Sequence, residues 1–164
     1  MGNDGHEGAS DPAKPDPRRQ MLKCAPEDPP RLEMPASDAQ EAAVERMVRL
    51  FYERARSDEV LGPIFRGAIH DWDAHVRIVW DFWSNAIHDT GRYTGNAFAP
   101  HRNLRFEPEA FSHWLRAFES AAGDALAPED AAKAIRIARH MAESFKMGLF
   151  PFVTADGRPS RTPA

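Results

Sequence analysis

The chain has 164 residues with a formal net charge of -4, 28% charged and 42% hydrophobic residues, and one cysteine, Cys24. That length supports a single core, and one cysteine excludes an intramolecular disulfide scaffold, which favours a reducing compartment. The mild acidity offers no basic footprint for nucleic acid, and no apolar run reaches a signal peptide's core or the roughly 20 residues of a membrane span, so a cytoplasmic protein with neither nucleic-acid nor membrane partner is expected.

Residues 1–36 hold Pro12, Pro15, Pro17, Pro26, Pro29, Pro30 and Pro35 but no aromatic residue; the first aromatic is Phe51 and the last is Phe152. A segment so poor in apolar surface cannot offset the entropy of ordering it. It is expected to be a disordered, Pro-rich N-terminal extension, and 153–164 a disordered C-terminal tail. The folded body is then 37–152.

Within that body the first helix opens at Ser37, whose spacing to Gln40 is that of a capping box. Val44, Met47, Val48 and Phe51 recur at i, i+3, i+4 and i+7, one face of a helix that should end near Arg56. A turn is expected over 57–65, punctuated by Gly62-Pro63. The next helix runs from about Asp71 to Ile87 with Trp72, Val76, Val79 and Trp83 in register. Residues 89–107, with Gly91, Gly95 and Pro100, read as a long loop holding at most a short helix around His101. Pro108 suits the first turn of a helix whose Phe111, Trp114, Leu115 and Phe118 form a stripe ending at Gly123. Pro128 starts the last helix, carrying Ile135, Ala138, Ala142, Phe145 and Leu149. Nothing alternates with period two over strand length, so the fold class is all-α.

There is no glycine-rich phosphate loop, cysteine pair, H-E-x-x-H or G-x-S-x-G, which leaves nucleotide and hydrolase chemistry without footing. Among the seven histidines, His6, His70, His88, His113 and His140 lie in polar surroundings and read as solvated. His75 shares a face with Val79 and Phe82 on the most aromatic helix, so its ring needs a polar partner. His101 sits in the mixed apolar and basic run Phe98-Ala99-Pro100-His101-Arg102-Asn103-Leu104, within a loop long enough to suggest a functional role. Tyr52 follows Phe51 at the end of the first apolar stripe, with a buried ring and a hydroxyl that seeks a partner. A metal site from His70, Asp71, Asp73 and His75 is a further but weak candidate, because His70 falls outside the helix.

The runs Phe51-Tyr52-Glu53-Arg54, Leu61-Gly62-Pro63-Ile64-Phe65, Trp72-x-x-His75, Phe82-Trp83, Tyr93-x-Gly95 with His101 six residues on, and Phe111-x-x-Trp114-Leu115-x-x-Phe118 occur in order along the body. Together they resemble the truncated haemoglobins, specifically their third group. The stretch between His101 and Trp114 is one residue shorter than that family's spacing, and neither tail has a counterpart there.

The resemblance implies a two-over-two helical sandwich around a pocket for haem b (iron protoporphyrin IX). It implies His101 as the proximal iron ligand and Tyr52, His75 and Trp114 as the distal lining. Phe51, Phe65, Val79, Phe82, Trp83, Phe98 and Phe111 would be the apolar walls, Arg102 and Arg105 candidates for the haem propionates, and Tyr93 a further contact. The function it implies is reversible binding of a diatomic gas, O2, NO or CO, with NO- or peroxide-related redox turnover if an electron donor is at hand. The competing reading is a haem-free helical interaction module that keeps the fold and uses its Pro-rich tail to bind a partner.

Overall fold

The computed structural model describes residues 36–163. Apart from Ala36, the N-terminal extension lies outside the described residues, together with His6 and Cys24. Five α-helices follow: α1 (Asp38–Ser57), α2 (Leu61–Ala68), α3 (Trp72–His88), α4 (Ala110–Ala125) and α5 (Pro128–Leu149), with a 3-10 helix, Ala99–Asn103, between α3 and α4. Helices α1 and α3 pack together, α4 packs on α1 and on α5, α3 also reaches α5, and α2 bridges α1 and α4. This is a pair of helices laid on a pair.

Helix α1 begins as its sequence dictates. The Ser37 hydroxyl accepts from the Gln40 N–H at 3.2 Å while the Gln40 side chain takes the Ser37 N–H at 3.0 Å. Its stripe is buried in full: Val44, Met47, Val48, Phe51, Tyr52 and Ala55. Asp71 caps α3 through the Ala74 N–H at 2.9 Å, and Pro128 occupies the first turn of α5, where its missing N–H costs nothing.

Three expectations are corrected. The segment expected as a turn over 57–65 contains α2. Gly62 does not break it: a Cβ there would lie 2.7 Å from the Arg56 carbonyl oxygen, so glycine is what lets α2 sit against the end of α1. Pro63 falls in the first turn, where backbone N–H groups lack helical partners anyway. The helix is started by Asp58, whose carboxylate accepts from the Val60 and Leu61 N–H groups at 2.9 and 3.0 Å.

Helix α4 starts two residues after Pro108 and passes through Gly123, ending at Ala125. Burial of Ala121, Ala122 and Ala125 outweighs the roughly 1 kcal/mol a mid-helix glycine costs, and the Arg46 guanidinium donates to the Ala125 carbonyl at the helix end. Finally, residues 153–163, expected as a disordered tail, join Phe152 in a hairpin of β1 (Phe152–Val153) and β2 (Pro159–Ser160), paired antiparallel with Phe152 opposite Ser160. Its turn uses Gly157 at φ +83° and a Thr154 N–H bond to the Arg158 carbonyl at 2.8 Å. Asp156-Gly157 is a hairpin-turn dipeptide that signals this in the sequence.

The core centres on Phe118 of α4, which is 1% exposed. Its ring stacks on Trp83 of α3 at 4.4 Å and on Trp114 of its own helix at 5.3 Å, and meets Phe51 of α1 edge-on at 6.1 Å. Three helices share that one side chain. Phe118→Ala should therefore cost about 3–5 kcal/mol, read as a fall in the urea midpoint with an unchanged slope; a loss under about 1 kcal/mol would mean that the rings close over the gap.

Candidate functional site

Between α2, α4, α5 and the loop after the 3-10 helix lies a cleft of about 530 Å³, part of it open to solvent. Leu61, Ile64 and Phe65 form one wall, Phe111 and Trp114 a second, and Met141, Ala142 and Phe145 a third; Leu104, Phe106 and Ala110 complete it. His101 is the one ionisable residue in this lining.

His101 is held tightly for a loop residue. The Asn96 side chain accepts from the Phe98 and Ala99 N–H groups at 3.0 and 3.3 Å, which nucleates the 3-10 helix, and the His101 N–H closes onto the Phe98 carbonyl at 3.0 Å. Phe98 anchors the same segment against Phe145 at 5.1 Å. Gly148 makes room for it, since a Cβ there would come within 2.9 Å of the Phe98 ring. Nδ1 of His101 lies 2.8 Å from the Ala97 carbonyl oxygen. A carbonyl only accepts, so Nδ1 carries the hydrogen and Nε2 keeps its lone pair. Burial lowers the His101 pKa below the usual histidine value, with the Ala97 bond opposing it in part. The ring is a neutral, oriented nitrogen donor at the edge of an apolar space.

Tyr52 and His75 meet each other, with the phenol oxygen 2.6 Å from Nε2. They stand one ring behind the cleft wall, the Tyr52 ring 5.7 Å from that of Phe65 and 5.6 Å from that of Trp72. Burial raises the Tyr52 pKa, which keeps the phenol protonated. The His75 pKa is lowered, first by burial and then by the charge His101 would carry. The pair is thus a neutral hydrogen-bonded couple. Trp114 lines the cleft itself.

The remaining expected site residues divide between the cleft and its supports. Phe65 and Phe111 are cleft walls. Phe51 and Trp83 are core, behind Trp114 and Phe118; Val79 packs against that core; Phe82 meets Trp83 and Tyr93 at 5.1 and 5.2 Å. Arg102 and Arg105 are exposed. The residues that sequence reasoning did not place at the site are Leu61, Ile64, Leu104, Phe106, Ala110 and Met141, along with Ala142 and Phe145, read only as part of a helical stripe. The helical period that puts Met141, Ala142 and Phe145 on adjacent positions of α5 was the available signal.

Two histidines expected to be solvated are not. His113 Nδ1 lies 2.9 Å from the Asp58 carboxylate, joining α4 to the α1–α2 junction, and Nε2 of His88 is buried at the end of α3, 3.8 Å from Asp130. A stripe that omits a histidine says nothing about a partner arriving from another helix. His70 and His140 are exposed. Among the described residues no group of three or more His, Cys, Asp or Glu assembles around a point, so the metal site from His70, Asp71, Asp73 and His75 does not form; Asp71 is occupied as a helix cap.

Acid should unfold the cofactor-free protein in two separate windows. His75 and His101 bind protons more weakly folded than unfolded, so stability is full above the unfolded value of 6.5 and falls as pH drops below it. At Asp58 burial pushes the pKa up, but the bonds from His113 and from the Leu61 and Val60 N–H groups outweigh it and hold the pKa at about 2. Its contribution is complete above 3.8 and lost as pH falls towards 2. Melting temperature against pH checks both: Asp58→Asn should flatten the lower window only, and a curve without slope as pH falls below 6.5 would contradict buried neutral histidines.

No family model matches the chain. Over 84 residues, 48% of this chain and 66% of the relative, it is 33% identical to the group 3 truncated hemoglobin ctb of Campylobacter jejuni. The aligned segment thus spans just under two thirds of that relative. The structure is similar to the crystal structure of group III truncated hemoglobin from Campylobacter jejuni, with a TM-score of 0.61 and 28% identity, covering 68% of this chain and 92% of that one. Among the described residues no helix is long and apolar enough to cross a membrane.

Proposed function

The chain belongs to the group III truncated haemoglobins, a haem globin family, and from that premise we propose that it holds haem b through His101 and reversibly takes up a diatomic gas. The observation that carries this reading is the His101 imidazole, whose Nδ1–H is committed to the Ala97 carbonyl and whose Nε2 lone pair is left for a metal. A second interaction of this kind fixes the ring and raises its basicity as a ligand. The donor set fits the group: one neutral imidazole, apolar walls on three sides, and no carboxylate in the lining. Haem iron held by one imidazole supplies an open coordination position for O2, NO or CO.

The chain's own contribution is hydrogen bonding, orientation and exclusion of water. Phe65, Phe111 and Phe145 keep the cleft dry, which strengthens every polar interaction inside it. Trp114 can only donate, so its indole N–H is suited to a guest that gathers negative charge, as dioxygen does. Tyr52 and His75 share one hydrogen bond. When His75 Nε2 carries its hydrogen and donates to the phenol oxygen, the Tyr52 hydrogen is free to turn to the guest once the Phe65 ring between them swings aside; in the other tautomer Tyr52 donates to His75 and is withheld. The setting we propose is the cytoplasm, with redox turnover of NO or peroxide wherever an electron donor is supplied.

Absorption and resonance Raman spectra test the assignment. The purified protein should show a Soret band and an iron–histidine stretch, and His101→Ala should lose both or hold haem only loosely; wild-type haem content with an unchanged stretch in that variant would move the ligand elsewhere. Tyr52→Phe and Trp114→Phe should each speed dioxygen release by about tenfold to a hundredfold, the range for losing one hydrogen bond to a partly charged acceptor. Stopped-flow rates within about twofold of wild type in both would remove these side chains from the ligand's surroundings.

A further inference from the structure

The C-terminal hairpin delivers one cation to the edge of the cleft. Arg161, directly after β2, lays its guanidinium over the rings of Phe106 and Phe150, 5.1 and 4.7 Å from their centroids. Phe106 is also a cleft residue, so the guanidinium and the cleft share a ring. Nη1 of Arg161 donates to the Arg102 carbonyl at 3.4 Å, one residue beyond His101. The position is braced from both sides, because the Ser160 hydroxyl donates to the Thr162 carbonyl at 2.8 Å and accepts from the Thr162 N–H at 3.2 Å.

What this cation lacks, among the described residues, is a counter-ion. Nε and Nη2 are both buried and neither has a hydrogen-bond partner among the described residues. These two nitrogens form one edge of the guanidinium, the edge that grips a carboxylate by two parallel N–H bonds. A buried donor pair left unpaired is costly, and an unpaired buried charge more so. Other arginines of the fold differ: Arg49, Arg54, Arg92, Arg139 and Arg158 are each bound to an acidic side chain.

Haem b carries two carboxylates and otherwise apolar edges. We propose that the Nε/Nη2 edge of Arg161 seats one of those carboxylates, so that the C-terminal hairpin, and not the loop arginines Arg102 and Arg105, clamps the cofactor beside His101. The proposal rests on the haem reading above. Arg102 and Arg105 are exposed, where an ion pair is screened and contributes little. Arg161 offers the opposite conditions: a fixed geometry, two aligned donors and little competing solvent.

The test uses iron protoporphyrin IX and its dimethyl ester, which has the same ring and no carboxylate. Each is loaded into the full chain, and its loss to an excess of acceptor globin is followed at the Soret band. Wild type should release the ester about tenfold to a hundredfold faster than the acid. Arg161→Met should release both at the wild-type ester rate, with Arg161→Lys between, since lysine keeps the charge and loses the fork. Arg102→Met and Arg105→Met should keep the full difference. Without cofactor, Arg161→Met should melt close to wild type, because relief of the two unpaired buried donors offsets the lost stacking on Phe106 and Phe150 and the lost bond to the Arg102 carbonyl. A variant that keeps the acid–ester difference overturns the clamp, and so does one that melts lower without cofactor while releasing both forms equally faster than the wild-type ester, which is the mark of a structural prop. A wild-type protein that takes up neither form overturns the haem reading itself, and the absent Soret band tells that failure from the first.

Discussion

Everything at the site hangs on the packing of one phenylalanine. Phe118 lies where α1, α3 and α4 meet, with Trp83 and Trp114 stacked on it and Phe51 against its edge. Trp114 is both a member of that cluster and a wall of the cleft, and Phe51 in turn contacts Phe65 and Tyr52. The cleft is therefore the outer boundary of the core and is not carved separately into the surface. Aromatic rings suit that double duty, because they are large, stiff and indifferent to which face is covered.

The same packing sets the electrostatics. His75 and His101 are uncharged because they are buried, and Tyr52 keeps its proton for the same reason. Burial costs both charged histidines and leaves a lone pair on His101 and a proton to share between Tyr52 and His75. Apart from the Arg161 guanidinium at the cleft edge, charge gathers outside the cleft lining, where Glu41 takes up Trp80, Ser84 and Arg92 and Asp58 takes up His113 and the start of α2.

The sequence was most legible where a single element decides the outcome. The capping box at Ser37, the stripe of α1, the start of α3 near Asp71 and Pro128 at the start of α5 are local, and they stand in the structure as the spacing predicts. Helix α2 was read as a turn because Gly62-Pro63 is turn chemistry; only the close approach of the Arg56 carbonyl shows what the glycine is for. Likewise Gly123 was given the role of a helix end, whereas the alanines around it are buried by other helices. At the site, His101, Tyr52, His75 and Trp114 stood out by type and by resemblance. The partners that define their chemistry did not, since Ala97 contributes a backbone oxygen and Arg161 arrives from a hairpin 60 residues downstream of His101.

Asp58 carries a consequence for motion. Its backbone N–H ends α1 on the Arg54 and Ala55 carbonyls while its carboxylate starts α2 and holds His113. Helix α2 has eight residues, too few to hold itself together in water. Its hydrogen bonds persist only while that carboxylate and the cover of its apolar face persist, so α2 belongs to the low end of the protein's ladder of local opening energies. It also carries Ile64 and Phe65, the wall between the cleft and Tyr52. The amide protons of Val60 and Leu61 are consequently a clock for that wall: their exchange with deuterium runs at the frequency with which the partition lifts, far faster than global unfolding would allow.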